Sequence, residues 1–187
     1  MPLNLYMLLL GCKPKGRHTE QHDVFFGIGE NLAALKPQIV NFWPDAGKIH
    51  IDAWRAVTNV DGHAIQIVEK NIIDKNTLQL QLFFLNLGGY KQNEFEEFHY
   101  KIVHVAKDKA TATKAALQST FYKHTSFTGA TSHIDDKYGV DVDDIFAIDD
   151  ILSKQLKQQY SIKIETTLQD NLPIDNMHLG YLKWSAF

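Results

Sequence analysis

Two kinds of side chain return at one spacing along this chain. Glu20 and His22 are two residues apart, as are His50 and Asp52, and the same pairs recur as Glu97 with His99 and His133 with Asp135. On an extended backbone, residues two apart project to the same side, so each pair sets an imidazole beside a carboxylate. Two such pairs on neighbouring strands would gather two nitrogen and two carboxylate donors, a set suited to zinc, manganese or iron. His22, His50 and Asp52 are the metal candidates. With Glu20 they are also the catalytic candidates, a histidine acting as general base and a carboxylate orienting it. The competing reading is structural: a carboxylate that holds an imidazole in one tautomer at a sheet end and does nothing more.

Three other segments carry charge or a nucleophile. Lys13, Lys15 and Arg17 stand in a glycine-containing loop, Lys13 to His18, with three fixed positive charges, a candidate anion site for a phosphate or carboxylate, against the ordinary reading of an exposed loop charged to stay solvated. The loop is not a P-loop, because the glycine-lysine-serine or threonine ending is absent. Its later counterpart, Tyr90 to Glu96, contains acids, so only the first loop suits an anion. Asp135, Asp136, Asp141, Asp143, Asp144, Asp149 and Asp150 form an acidic stretch. Its Asp141-Val142-Asp143 alternation offers oxygen ligands for calcium or magnesium but lacks the twelve-residue order of an EF-hand. The simpler reading is a solvated edge that discourages pairing with another chain. Cys12, the single cysteine, has Lys13 and Lys15 beside it to favour a thiolate, against the ordinary expectation of a small buried residue at a strand end. One cysteine forms no intrachain disulfide, and a reducing, cytoplasmic compartment is the expectation.

The elements that must position these groups repeat as well. Tyr6 to Gly29 lies over Phe83 to Ala106 without a gap, at a shift of 77 that carries Gly11 onto Gly88. Leu8, Leu10, Gly11, Glu20 and His22 meet Leu85, Leu87, Gly88, Glu97 and His99. The tripeptide His50-Ile51-Asp52 recurs as His133-Ile134-Asp135, where the shift has grown to 83. The expected fold class is α+β, an internal duplication of a strand-strand-helix-strand-strand unit, arranged as two pseudo-symmetric lobes or one shared sheet. Residues 1–70 are the first repeat, 77–152 the second, and 153–187 a C-terminal extension packing on the repeats.

Within each repeat the pattern predicts particular elements. Leu3 to Leu10 is a nearly continuous apolar run, suited to a strand buried on both faces, and Gly11 ends it. His22 to Ile28 is a second strand pairing with it. A helix capped by Asn31 follows, with Leu32, Leu35, Ile39 and Phe42 along one stripe and a kink or restart at Pro37. Lys48 to Val57 and His63 to Val68 are strands joined through Asp61-Gly62, a favoured hairpin turn pair. In the second copy Asp108 caps the helix and Gly139 to Asp144 replaces the hairpin turn. Beyond Leu152, Tyr160 to Thr166 is strand-like, and Leu172 to Phe187 is irregular.

Bulk composition narrows the partners. An apolar content of 44% with 22% charged residues suits a globular protein. A formal charge of -3 argues against a nucleic-acid surface, which needs an excess of Lys and Arg. Leu9-Leu10-Gly11-Cys12 resembles a lipoprotein box, yet no basic segment precedes it and its interior copy cannot be a leader; both read as strands. No apolar run reaches the roughly 20 residues of a transmembrane helix, so no membrane partner is expected.

Taken together, Gly88-Gly89-Tyr90-Lys91 with Glu96-Glu97-Phe98-His99, Thr19 to Phe26, and Ser132 to Gly139 resemble a bacterial domain-of-unknown-function family, number fifteen-forty-three, whose members carry the domain twice. The resemblance runs to about Leu152. It implies a soluble, cytoplasmic bacterial protein and no particular activity, cofactor or catalytic residue. The functional expectation is a non-catalytic module binding a ligand or a protein, with Lys13, Lys15, Arg17, Glu97, His99, His133 and Asp135 as ligand-binding candidates. The alternative is a metal-dependent or His/carboxylate enzyme acting on a small anionic substrate. A homo-oligomer is the further partner expected, and the cofactor stays open.

Overall fold

The structure, a computed structural model, describes residues 2–70, 80–90, 93–118, 140–166 and 173–187, with the backbone alone described for 140–143. It divides into two units, Met1–Asp74 with Leu152–Phe187, and Lys75–Ile151. Short helices accompany a majority of strands, an α+β composition. Among the described residues no helix is long and apolar enough to cross a membrane.

Unit 1 is organised by β1 (Asn4–Cys12), the apolar run of the sequence extended to the cysteine. Being apolar on both faces, it takes the interior of a sheet. β2 (Gln21–Gly29) and β3 (His50–Val57) pair antiparallel on its two sides, and β10 (His178–Lys183) pairs with β3, for the order β10-β3-β1-β2. One face of this sheet carries Tyr6, Leu8, Leu10, Phe25 and Ile51, buried against Leu35 and Ile39. Those two come from a 3-10 turn (Ala33–Leu35) and α1 (Lys36–Phe42). Asn31 Oδ1 accepts the amide of Ala34 at 3.0 Å, as a cap should. Pro37 sits in the first turn of α1, where no amide donor is required, so the expected interruption takes the form of a fresh helix start. Gln38 then secures α1 to the sheet edge, donating to the Ile28 carbonyl at 2.7 Å and accepting its amide at 3.3 Å.

The second sheet of unit 1 differs from expectation. β4 (Asn59–Val60) and β5 (His63–Glu69) meet across Asp61 and Gly62, both at positive φ (53° and 77°), the twist a two-residue hairpin favours. Yet β3 and β5 are not partners. β5 pairs along its length with β9 (Tyr160–Thr166), Ile65 opposite Ile164, in the order β4-β5-β9. α4 (Lys154–Gln159), capped by Ser153, leads into β9.

The tail expected to be irregular supplies β10, which long-range contacts hold in place. Asp175, with its side chain 3% exposed, accepts the Thr58 hydroxyl at 2.6 Å and the Thr58 and Asn59 amides at 3.1 and 3.4 Å. Asp175→Ala strands those donors and is expected to cost about 2–3 kcal/mol in a denaturant melt. An unchanged midpoint would show that the Asp175 contacts add no stability.

Unit 2 has β6 (Gln81–Tyr90) between β7 (Glu97–Ala106) and β8 (Val140–Ala147), all antiparallel, in the order β7-β6-β8. Phe83, Leu85 and Leu87 on β6 bury against Ala112 and Ala116 of α2 (Lys109–Ala116). The small alanines let the helix lie close. Asp108 caps α2 by accepting the Thr111 amide at 2.8 Å, and this holds its carboxyl below the usual carboxylate range. Gly139 to Asp144 was expected as a turn; from Val140 the backbone is instead β8, which runs on to Ala147 and α3 (Ile148–Ile151).

Candidate functional site

On the side of the sheet away from α1, the four candidate side chains of unit 1 meet over a single glycine. Gly11 lies opposite His22 on β2 and opposite His50 on β3, and directly opposed residues share a face. On β3 the register slips: Leu10 pairs with Ile51 and Leu9 with Ala53, which leaves Asp52 as the extra residue of a β-bulge. Glu20 stands just before β2, where the basic loop ends.

The distances are short. His50 Nε2 is 3.2 Å from Asp52 Oδ1 and 3.3 Å from Glu20 Oε1. His22 Nε2 is 3.3 Å from Asp52 Oδ2 and 3.7 Å from Glu20 Oε2. Proximity is not matched by hydrogen bonding, because His50 Nε2 and Asp52 Oδ2 are both buried without a hydrogen-bond partner. Burying a polar group unpaired costs about 1–3 kcal/mol, so these contacts are a poor way to build a merely stable sheet end. The members divide into a sheltered pair, His50 and Asp52 (side chains 6% and 27% exposed), and an open pair, His22 and Glu20 (45% and 44%). Among the described residues no group of three or more His, Cys, Asp or Glu side chains is already disposed to hold a metal ion.

Gly11 makes room for this cluster. A Cβ there would lie 2.3 Å from His50 Nε2 and 2.6 Å from Asp52 Oδ2. Tyr181, unforeseen from the sequence, covers the cluster from the far side. A register shift in β10 between Leu179 and Leu182, with Gly180 at φ +115°, brings the Tyr181 ring to 4.3 Å from the His50 ring. Bulges commonly re-aim a side chain in this way. One step along, His178 stacks on Trp54 at 3.8 Å, nearly parallel. The only sequence signal for Gly11 was its recurrence as Gly88; Tyr181 had none.

Cys12 departs from the thiolate expectation. It is buried, and burial, then the Glu20 charge, push its thiol up. Lys13, Lys15 and Arg17 are exposed, in a turn closed by the Arg17 amide on the Pro14 carbonyl at 3.2 Å. The loop joins the ends of β1 and β2 that carry the cluster.

In unit 2, His99 lies opposite Gly88 as His22 lies opposite Gly11, with Glu97 Oε2 3.9 Å from His99 Nε2. His133 and Asp135 fall outside the described residues. The β8 residue facing Gly88 is Asp141.

Comparison with known proteins adds a fold and a domain, without a chemistry. No curated protein matches the chain. A crystal structure of a protein Il1583 from Idiomarina loihiensis is similar over 97% of each chain, at a TM-score of 0.64 and 19% identity, which shows a shared fold alone. Residues 17–67, the stretch holding Glu20, His22, His50 and Asp52, match the family model described as Domain of Unknown Function (DUF1543).

Proposed function

We propose that unit 1 is a ligand-binding domain whose ligand is a divalent transition-metal ion, held by His22, His50, Asp52 and Glu20 over Gly11. The observation that carries this reading is the buried, unpartnered pair His50 Nε2 and Asp52 Oδ2. An ion with bonds of about 2.0–2.1 Å to nitrogen and oxygen sets neighbouring donors about 3.3–3.4 Å apart in a tetrahedron. Three of the four nitrogen–oxygen separations are 3.2–3.3 Å and the fourth is 3.7 Å, with each imidazole facing a different oxygen of each carboxylate, so the carboxylates would turn to present one oxygen apiece. A cation would satisfy both stranded atoms at once and offset the two carboxylate charges. Closure asks for a rearrangement of the exposed Glu20 and His22 around the sheltered pair. Two imidazoles and two carboxylates suit zinc, with manganese or iron as competitors.

Titration of the untagged protein with Co²⁺, followed by visible absorption and displaced by Zn²⁺, tests this. One equivalent in the wild type and none at the same concentrations in His50→Ala is expected. Less than a tenth of an equivalent bound, with melting unchanged by chelation, would sink the proposal.

A second reading builds on the basic loop. Lys13, Lys15 and Arg17 leave the same sheet end as the cluster and could bring an anionic group to it, as a metal-dependent or His/carboxylate enzyme for a small anionic substrate requires. We further read the two units as copies of one ancestral repeat within 1–70 and 77–152, with 153–187 as an extension. In support, the bulge between Leu9 and Leu10 recurs between Asn86 and Leu87, at the shift of 77 that aligns the sequences. The lone buried Cys12 fits a reducing, cytoplasmic setting.

A further inference from the structure

We propose that Glu20 is the exchangeable ligand of the unit 1 centre, and that the dianionic phosphate group of a small organic phosphate takes its place. The inference rests on the metal reading of unit 1 and deepens it, but its test fails separately.

Glu20 is the least anchored of the four donors. His22 and His50 stand on β2 and β3 opposite Gly11, and Asp52 is held by the β3 bulge. Glu20 belongs instead to the eight residues that join Cys12 at the end of β1 to Gln21 at the start of β2. Its side chain is 44% exposed, and the longest of the four separations, 3.7 Å, is one of its own. A carboxylate on a loop can swing away without breaking a strand ladder. What it would leave behind is two imidazoles, one carboxylate and an open position, the arrangement of a metal centre that accepts a ligand from outside.

Charge identifies the incoming group. Lys13, Lys15 and Arg17 precede Glu20 in the same loop, and all three are exposed. A fourth cation comes from the other side: Lys183 on β10 is directly opposite His50, and directly opposed residues share a face. Among the described residues none of these four has an ion-pair partner. Glu20 and Asp52 do not balance them, because a divalent ion already offsets both carboxylates. An incoming carboxylate would exchange one negative charge for an identical one and leave the excess of cations in place. A phosphate monoester carries about two negative charges at neutral pH and several acceptor oxygens. One oxygen can replace Glu20 on the ion while the others accept charge-assisted hydrogen bonds from lysine and arginine.

Titration of the full, untagged, Co²⁺-loaded chain with phenylphosphonate, read in the visible spectrum, tests the proposal. Phenylphosphonate is a dianion that cannot be hydrolysed to phosphate, and benzoate is the monoanion with the same ring. A saturable change in the cobalt bands is expected, with benzoate at least about tenfold weaker. The double variant Lys15→Gln/Arg17→Gln should bind one equivalent of Co²⁺, which also shows that it is folded, and should bind phenylphosphonate at least about tenfold more weakly. Glu20→Gln removes the competing carboxylate, so it should keep its Co²⁺ and bind phenylphosphonate at least about threefold more tightly. Cobalt bands indifferent to phenylphosphonate, benzoate binding as tightly, an unchanged affinity in Lys15→Gln/Arg17→Gln, or loss of Co²⁺ from Glu20→Gln would each overturn the proposal. Failure of the metal reading itself would appear earlier, as wild-type protein that takes up no Co²⁺ before any anion is added.

Discussion

In chelator at about pH 8, Asp52→Asn is expected to raise the melting temperature by about 2–4 °C, worth about 1 kcal/mol in a chain of this size, while weakening metal binding at least about 100-fold. Both effects have one cause. Asp52 Oδ2 is buried without a donor, and the Glu20 carboxylate shares the same two imidazoles. Without an ion, the Asp52 charge is a liability that an isosteric amide removes; with an ion, that charge is a ligand. Such opposition between stability and function is common where a site is held ready for a ligand. A structural carboxylate behaves in the reverse way, since losing it strands the groups it served. Scanning calorimetry with and without metal separates the two cases. A drop of a few degrees in chelator, with metal binding intact, would return Asp52 to a purely structural role and take the metal reading with it.

Gly11→Ala should abolish metal binding at the concentrations that saturate wild type, with a stability loss of about 1–3 kcal/mol typical of overpacking. The backbone at Gly11 is ordinary β1 strand, so the penalty is not conformational. It is steric: the added methyl would stand 2.3 Å from His50 Nε2 and 2.6 Å from Asp52 Oδ2. His50 has little room to retreat, being buried and faced by the Tyr181 ring at 4.3 Å. Something must move, and what moves is the donor set. Gly16→Ala, in the exposed loop with nothing within 4 Å of its Cβ, is the control: it strains a positive φ but leaves metal binding at the wild-type level. Equal metal affinities for Gly11→Ala and wild type would mean that the ion does not sit over Gly11.

Much of this site was readable before any coordinates, because strand geometry is local. Spacing by two places Glu20 with His22, and His50 with Asp52, on one side of an extended segment wherever that segment lies. The apolar run of β1, the Asn31 and Asp108 caps and the Asp61-Gly62 turn are local in the same sense. Each follows from the backbone preferences of a few adjacent residues. The second copy shows where local reading stops. The β8 residue opposite Gly88 is Asp141, a register that the repeat in the sequence did not indicate, because sequence identity carries no information on register.

What the sequence determined by itself was the chemistry available and the order of the elements: two imidazole–carboxylate pairs, a glycine between them in each half, and a basic loop beside the first. The tertiary structure alone decided that β2 and β3 flank β1 so that both pairs converge on Gly11. It also decided that a bulge sets Asp52 over that glycine, that residues near 180 return to β3 and cover His50 with Tyr181, and that β5 takes β9 as its partner. The physical reason is distance along the chain. Pairing between strands about 90–130 residues apart, as β5 with β9 and β3 with β10, is chosen by which edges and apolar faces stay uncovered after the local elements form. That competition is settled across the whole unit, and no short stretch of residues records its outcome.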